Sequence, residues 1–265
     1  MKTIALLAIA ILSRTIAAHA AAIPFAENFD SYDNTSNPAI VPTEFAEIRG
    51  TDWTVQDDGA GNDYQHALNE INNTPSTINF SLYDATVPLT NAVGNNFTMS
   101  AKMTILSAST NNSNNRLVAG LEFLSSQVST GYTAELVVLG AGISGTMRIS
   151  ENDTVRASAP FPGGFALGVR YNLTLTATYN GANSLTMNFV LSDGSNTNSI
   201  SFIDTTPQTN SRFGFRDVVG TNPQSTLAFN VHYDNLLIVP EPSTAMLLTS
   251  GLLGCIIRRR TARNI

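Results

Sequence analysis

The 265-residue chain has one cysteine, Cys255. An internal disulfide is therefore excluded, as is a zinc site built on cysteine pairs. Charge is also scarce: Asp, Glu, Lys and Arg make up 13% of the residues, about half the usual share. Of three histidines, only His66 and His232 lie in the body of the chain, 166 positions apart. A Ser-His-Asp arrangement has little to draw on. No P-loop and no H-E-x-x-H occurs, and Gly142-Ile143-Ser144-Gly145 reads as a turn rather than a nucleophile elbow. Disorder is excluded from the other side, because 43% of the residues are hydrophobic and they alternate regularly.

The few charges are unevenly placed. Lys2 and Arg14 sit near the start, and Arg258, Arg259, Arg260 and Arg263 near the end. Between these two sets, eight basic side chains face all twenty acidic ones, a net charge of about −12 that repels phosphate backbones and argues against nucleic acid as a partner. Such a surface keeps an exported protein soluble or draws cations.

What is present begins with the ends. Lys2 precedes the apolar run Ile4 to Leu12, and small residues follow: Ala18-His19-Ala20 and Ala20-Ala21-Ala22 both fit the A-x-A pattern. Residues 1–22 therefore read as a signal peptide, with signal peptidase as the first partner. At the other end, Ala245 to Ile257 gives thirteen mostly apolar residues before Arg258, Arg259 and Arg260. As a helix this run reaches about 20 Å, short of a hydrocarbon core of about 30 Å. It makes a short hydrophobic helix, a marginal membrane stop whose arginines stay cytoplasmic. Pro240 and Pro242 should break any strand or helix arriving from the body and leave an exposed, extended stretch.

Val239-Pro240-Glu241-Pro242-Ser243-Thr244, the apolar run and the arginine end are together very similar to the PEP-CTERM sorting signal of Gram-negative envelope proteins. The resemblance gives residues 239–265 the role of a sorting signal, with Pro240, Glu241 and Pro242 as its motif and Arg258, Arg259 and Arg260 as its basic stop. It implies an exosortase-type membrane enzyme as partner, a transient inner-membrane anchor, processing near the motif, and delivery to the cell surface or extracellular matrix. An ordinary tail anchor is the rival, and it has no need of Pro-Glu-Pro.

Residues 23–238 alternate with the period of strands. Phe97, Met99, Ala101, Met103 and Ile105 form one inward set, Tyr171, Leu173, Leu175, Ala177 and Tyr179 a second, and Leu185, Met187, Phe189 and Leu191 a third. The last strand puts Leu227, Phe229, Val231 and Tyr233 on one face. Asn180-Gly181-Ala182-Asn183 marks a hairpin, and a second hairpin joins GYTAELVVLG to GTMRIS. About a dozen such runs, each with one apolar and one wet face, predict a single all-β domain: a two-sheet antiparallel jelly-roll sandwich. The segments ENFDSY, DWTVQDDG, FTMSAKMTI, LVAGLEFL, GYTAELVV and FNVHYDNLLIVPEPS resemble the concanavalin A-like lectin/glucanase (laminin-G-like) sandwich.

Glycosidases of that fold resemble one another in an acidic E-x-D-x-E strand. Here the nearest match, Glu151-Asn152-Asp153, lacks its third acid, and Glu44 and Glu47 lack a central Asp. A retaining site needs two carboxyl groups about 5 Å apart, so no catalytic residue is assigned. In VQDDGAGNDY, Asp57, Asp58, Asn62 and Asp63 cluster oxygen ligands of the kind Ca2+ prefers, outside EF-hand spacing. An ordinary Gly/Asp turn is the competing reading, and no other cofactor is expected. Tyr64 beside this loop is the candidate glycan platform, whereas Trp53 alternates into the core. His232 falls on the polar face of its strand and is expected to be solvated. The expectation is an exported, non-catalytic surface or matrix protein that binds extracellular polysaccharide through a loop rim. A divergent glycoside hydrolase or lyase is one alternative, and a purely structural matrix protein is the other.

Overall fold

The computed structural model describes residues 24–30, 45–49, 53–57, 62–71, 79–89, 93–110, 117–126, 130–139, 145–181, 183–221 and 226–241. They contain fifteen strands, numbered along the chain, in two antiparallel sheets. The eight-stranded sheet holds β1 (Phe25–Glu27), β3 (Trp53–Asp57), β4 (Asn62–Ile71), β6 (Phe97–Thr110), β11 (Arg170–Tyr179), β12 (Leu185–Ser192), β13 (Thr197–Asp204) and β15 (Thr226–Pro240). The seven-stranded sheet holds β2 (Ala46–Arg49), β5 (Asn79–Pro88), β7 (Leu117–Ser125), β8 (Tyr132–Leu139), β9 (Thr146–Glu151), β10 (Thr154–Pro160) and β14 (Arg212–Thr221). The first sheet runs β13-β12-β11-β6-β15-β4-β3, with β1 also paired to β15; the second runs β10-β9-β8-β7-β14-β5-β2. The architecture is the expected all-β sandwich. Short strands such as β1 and β2, which the alternation is too brief to reveal, raise the dozen to fifteen.

In β12 of the eight-stranded sheet the alternation holds residue by residue. Along β12 buried Leu185, Met187, Phe189 and Leu191 alternate with half-buried Thr186, Asn188, Val190 and Ser192. Both predicted hairpins form, β11 with β12 and β8 with β9. Between the sheets, Phe215 stacks on Tyr233 with ring centres 4.3 Å apart, and Trp53 and Phe45 flank Phe215. Trp53 is thus a core residue, as expected.

Three expectations change. The seven-stranded sheet is not simply wet outside: every residue of β7 is buried, and the outward side chains of its neighbours are buried as well. Val118, Val137 and Val218 form a small apolar cluster there. Beside it, buried Arg148 is ion-paired to buried Glu135 at 2.6 Å. Long Arg stems lying over a sheet cover its outer face much as apolar side chains do. His232 does alternate onto the outward face of β15, but it is only 5% exposed. Its strand lies between β6 and β4, where Thr104 and Gln65 flank it. Third, β15 does not break before Pro240. It continues through Val239 and Pro240, opposite Thr98 and Phe97. A proline at a strand's last position removes at most one ladder bond, and the Glu241 N–H then donates to Asn96 O at 3.0 Å. The sandwich therefore reaches beyond residue 238. Among the described residues no helix is long and apolar enough to cross a membrane. The segment Ala245 to Ile257, Pro242, the basic stop and the signal peptide lie outside them.

Candidate functional site

At one end of the sandwich the chain crosses from β13 in one sheet to β14 in the other through residues 205–211. This crossover is tied down along its length. Thr206 N–H donates to Asp204 Oδ1 at 2.8 Å, and Gln208 N–H donates to the Tyr132 phenol oxygen at 3.0 Å. Tyr132 in turn donates its own proton to Asp204. Gln208 Nε2 reaches Glu151 Oε1 at 3.0 Å, and Arg156 holds the other Glu151 oxygen at 3.0 Å. Asn210 donates to Thr130 Oγ1 at 3.1 Å. Burial pushes the Asp204 carboxyl up, but the Tyr132 hydroxyl and the Thr206 N–H and hydroxyl together outweigh it and hold Asp204 below the usual carboxylate range. Burial, with the Asp204 hydrogen bond second, raises Tyr132 above the usual phenol.

Opposite the crossover stands the β11–β12 hairpin, closed by Asn180 N–H to Ser184 O at 2.8 Å. Tyr179 ends β11, and its N–H donates to Asn96 Oδ1 at 2.7 Å. Between hairpin and crossover lies a cavity of about 440 Å3, lined by Tyr179, Asn183, Thr205, Thr206, Gln208 and Thr209 among others. That volume falls in the range of small-molecule sites. The Tyr179 hydroxyl is shielded from solvent, with the Gly94 backbone beside it. Burial raises its pKa, while the neighbouring Gly94 backbone works in the opposite direction.

The other cluster of polar side chains lies on the outward face of the seven-stranded sheet. Register places Arg216, Gly120, Glu135 and Arg148 on one line across β14, β7, β8 and β9. Glu135 Oε1 accepts from Arg148 and, at 3.2 Å, from Ser150, while Arg216 donates to Asp153. On the next line Glu122 Oε1 accepts from Ser125 Oγ at 2.5 Å. The space enclosed by this group is only about 10 Å3, room for about one water. The carboxylates are held by cations and hydroxyls instead of facing a substrate-sized opening.

The residues singled out in the sequence fare differently. Glu151 closes β9, and Asp153 sits in the β9–β10 turn with Asn152, both at positive φ (64° and 48°). This sharp turn replaces a strand that would display both acids on one face, so the pair serves as an anchor for Arg156, Gln208 and Arg216. Asp57 and Asn62 face each other across the β3–β4 turn, with Asp63 next to Asn62; Asp58 and the side chains of the other three lie outside the described residues. Among the described residues no three His, Cys, Asp or Glu side chains are placed to hold a metal. Tyr64 is paired with Val55 and Tyr233, its side chain likewise lying outside those described. Glu241 of the Pro-Glu-Pro stretch is half-buried and accepts a hydrogen bond from Thr98 Oγ1. Gly140-Ala141-Gly142-Ile143-Ser144-Gly145 has the G-x-G-x-x-G spacing. It joins two antiparallel strands, β8 and β9, and does not open a helix after a strand, the setting a dinucleotide fingerprint requires. The rim cavity went unread in the sequence, since its parts come from positions 93–94, 179–183 and 205–209. Their only local mark is a high density of Thr, Asn and Gly.

No family model matches the chain, and no curated protein matches it either. Among solved structures, a protein of unknown function from Shewanella oneidensis MR-1 superposes with a TM-score of 0.51 at 10% identity, over 84% of this chain and 87% of that one. Lectin II from Ulex europaeus gives 0.46 at 14% identity, over 82% of this chain and 99% of that one. Arcelin-5, a lectin-like defence protein from Phaseolus vulgaris, gives 0.46 at 13% identity, over 82% and 98%. At these identities the likeness concerns the fold, a two-sheet antiparallel β-sandwich, and leaves function to the residues.

Proposed function

We propose that this chain is an exported, non-catalytic carbohydrate-binding sandwich, sorted by its tail to the cell surface or extracellular matrix of a Gram-negative bacterium, with the rim cavity as its sugar site. One observation carries the binding reading: a 440 Å3 cavity in which Tyr179 meets Asn183, Gln208 and three threonines. Such a wall offers what sugars use, a ring face for C–H groups and neutral donors and acceptors for hydroxyls. The network through Tyr132, Asp204 and Glu151 pre-organises the crossover, which lowers the ordering cost of binding. Export rests on residues 1–22, and sorting rests on Pro240, Glu241, Pro242 and the Arg258, Arg259, Arg260 end. Signal peptidase and an exosortase-type enzyme are the partners those segments call for.

The test is a glycan array probed with residues 23–241, first with Ca2+ and then with chelator. Binding is expected for at least one oligosaccharide, and Thr209→Val and Asn183→Ala should each weaken it about five- to tenfold. Chelator sensitivity would bring Asp57, Asp58, Asn62 and Asp63 into the site. An array on which the wild-type protein retains nothing would favour the purely structural matrix protein.

A further inference from the structure

We infer that the outward face of the eight-stranded sheet binds a single extended strand of uncharged polysaccharide, lying across the β-strands. This keeps the carbohydrate chemistry of the preceding reading but adds a site distinct from the rim cavity, which suits a short sugar. A groove of about 590 Å3 crosses β11, β6, β15 and β1 on this face, lined by Asn172, Thr174, Ser100, Lys102, Asn235 and Leu237 among others. Its shape has a local cause. The register of β15 against β6 slips between Asp234 and Leu237, and Asn235 takes a left-handed backbone with φ 54°. A bulge of this kind bends the strand and re-aims its side chains. Facing the bulge, Ser100 on β6 and Thr174 on β11 are short, with the longer Lys102 beside them, so the face is dished there.

The face continues past the groove in the same chemistry. Register aligns Ser100, Thr174, Val190 and Ser199 in one row over β6, β11, β12 and β13. The rows on either side of it are Thr, Ser and Asn apart from Lys102, which is engaged by Asp234 at 3.7 Å. Hydroxyl and amide groups, each both donor and acceptor, therefore recur on β6, β11, β12 and β13, strands about 4.8 Å apart, while the same row continues on β15 and β1 as Leu237 and Ala26. From β6 to β13 the polar face spans three such steps, roughly 14 Å. A ligand that matches must be linear, repeating and rich in hydroxyls.

Other occupants fit less well. A protein partner needs an apolar or aromatic centre, whereas this face has Leu237 (40% exposed) toward one end and Ile203 (60% exposed) toward the other. A polyanion meets Lys102, already paired with Asp234, and Arg170 at the start of β11, against Glu27 in the groove itself. A flat crystalline surface cannot follow strands that rotate by about 20–25° from one to the next, but one flexible chain can.

The experiment uses full-length protein in mild detergent and affinity electrophoresis through gels containing xyloglucan, galactomannan, mixed-linkage β-glucan or dextran, with carboxymethylcellulose and crystalline cellulose as contrasts. Retardation by at least one neutral polysaccharide is expected. Thr174→Lys and Ser199→Glu, on separate strands, should each weaken it at least tenfold, while Thr154→Lys on β10 of the other sheet leaves it unchanged. Melting temperatures matching the wild type establish that each variant is folded. Polysaccharide binding untouched by both face variants but lost in Asn183→Ala would overturn the inference and leave the rim site standing. Failure of every polysaccharide to retard the wild type would also overturn it, and the rim site would then be judged on the short-sugar array alone.

Discussion

Two tyrosine–aspartate pairs clamp the sheets together in opposite senses. Tyr233 of the eight-stranded sheet donates to Asp217 Oδ1 of the other at 2.5 Å, and Tyr132 of the seven-stranded sheet donates to Asp204. Asp217 is 0% exposed, where a carboxylate is costly without strong donors. Replacing Tyr233 by Phe keeps the ring stack but removes that donor, and should destabilise the protein by about 1–3 kcal/mol, read as a lower urea midpoint. The pair also sets an alkaline limit. Burial first, and then Asp217, raise Tyr233 well above the ordinary phenol, and burial with Asp204 raises Tyr132. A group whose pKa is raised by folding gives its full stabilisation below its unfolded pKa, here about 10, and loses it as pH rises toward the folded value. Melting temperature should therefore hold to about pH 9.5 and fall steeply above about 10. The tyrosinate absorbance of the buried tyrosines should appear only with unfolding. In Tyr233→Phe the alkaline fall should be shallower, and an equal fall would remove Tyr233 from the account.

Single strands show what periodicity can and cannot reveal. The runs around Phe97, Tyr171 and Leu185 were legible because one of their faces is solvated, so polar and apolar residues separate cleanly. β7, LVAGLEFLS, is buried on both sides, and there alternation says little. His232 shows the same limit: its face could be read from spacing, its burial could not, because burial depends on which strands flank β15. The Glu135–Arg148 pair belongs to a hairpin and is close in sequence, whereas Arg216 and Asp153 meet only through the β7–β14 pairing and the β9–β10 turn. Gly120, midway along β7, carries a constraint invisible in the sequence. A Cβ added there would lie 2.3 Å from Ala134 O and 2.6 Å from the Glu135 Cα. Gly120→Ala must therefore push β7 away from β8 and disturb the row that holds Arg216, Glu135 and Arg148. A loss of about 1–3 kcal/mol, the usual size of overpacking, is expected in urea unfolding. A neutral result would mean that the sheet yields at this point without cost.

At the scale of the whole molecule, the architecture was legible and the rim was not. The class of fold follows from period two repeated over some two hundred residues, a signal that survives errors in any one strand. The rim depends on where the chain passes from one sheet to the other, and nothing local in residues 205–211 announces that passage. The proposed sorting signal was read in a different way, from consecutive residues alone, as a signal recognised in extended form would require. The fold nevertheless adds a qualification. Pro240 belongs to β15, and Glu241 is held by the Asn96 carbonyl and by Thr98, so the start of the motif is part of the sandwich edge. A truncation after Glu241 leaves every described contact in place, and the melting temperature of the sandwich should not change. If residues 242–265 carry the address together with the motif, the truncated protein should be exported and recovered in the medium, with surface labelling reduced to background. A truncation after Leu236 would also strip Leu237 to Glu241 from β6 and should lower the melting temperature as well, separating loss of sorting from loss of fold. Surface display of the first truncation at the wild-type level would show that the address lies elsewhere in the chain.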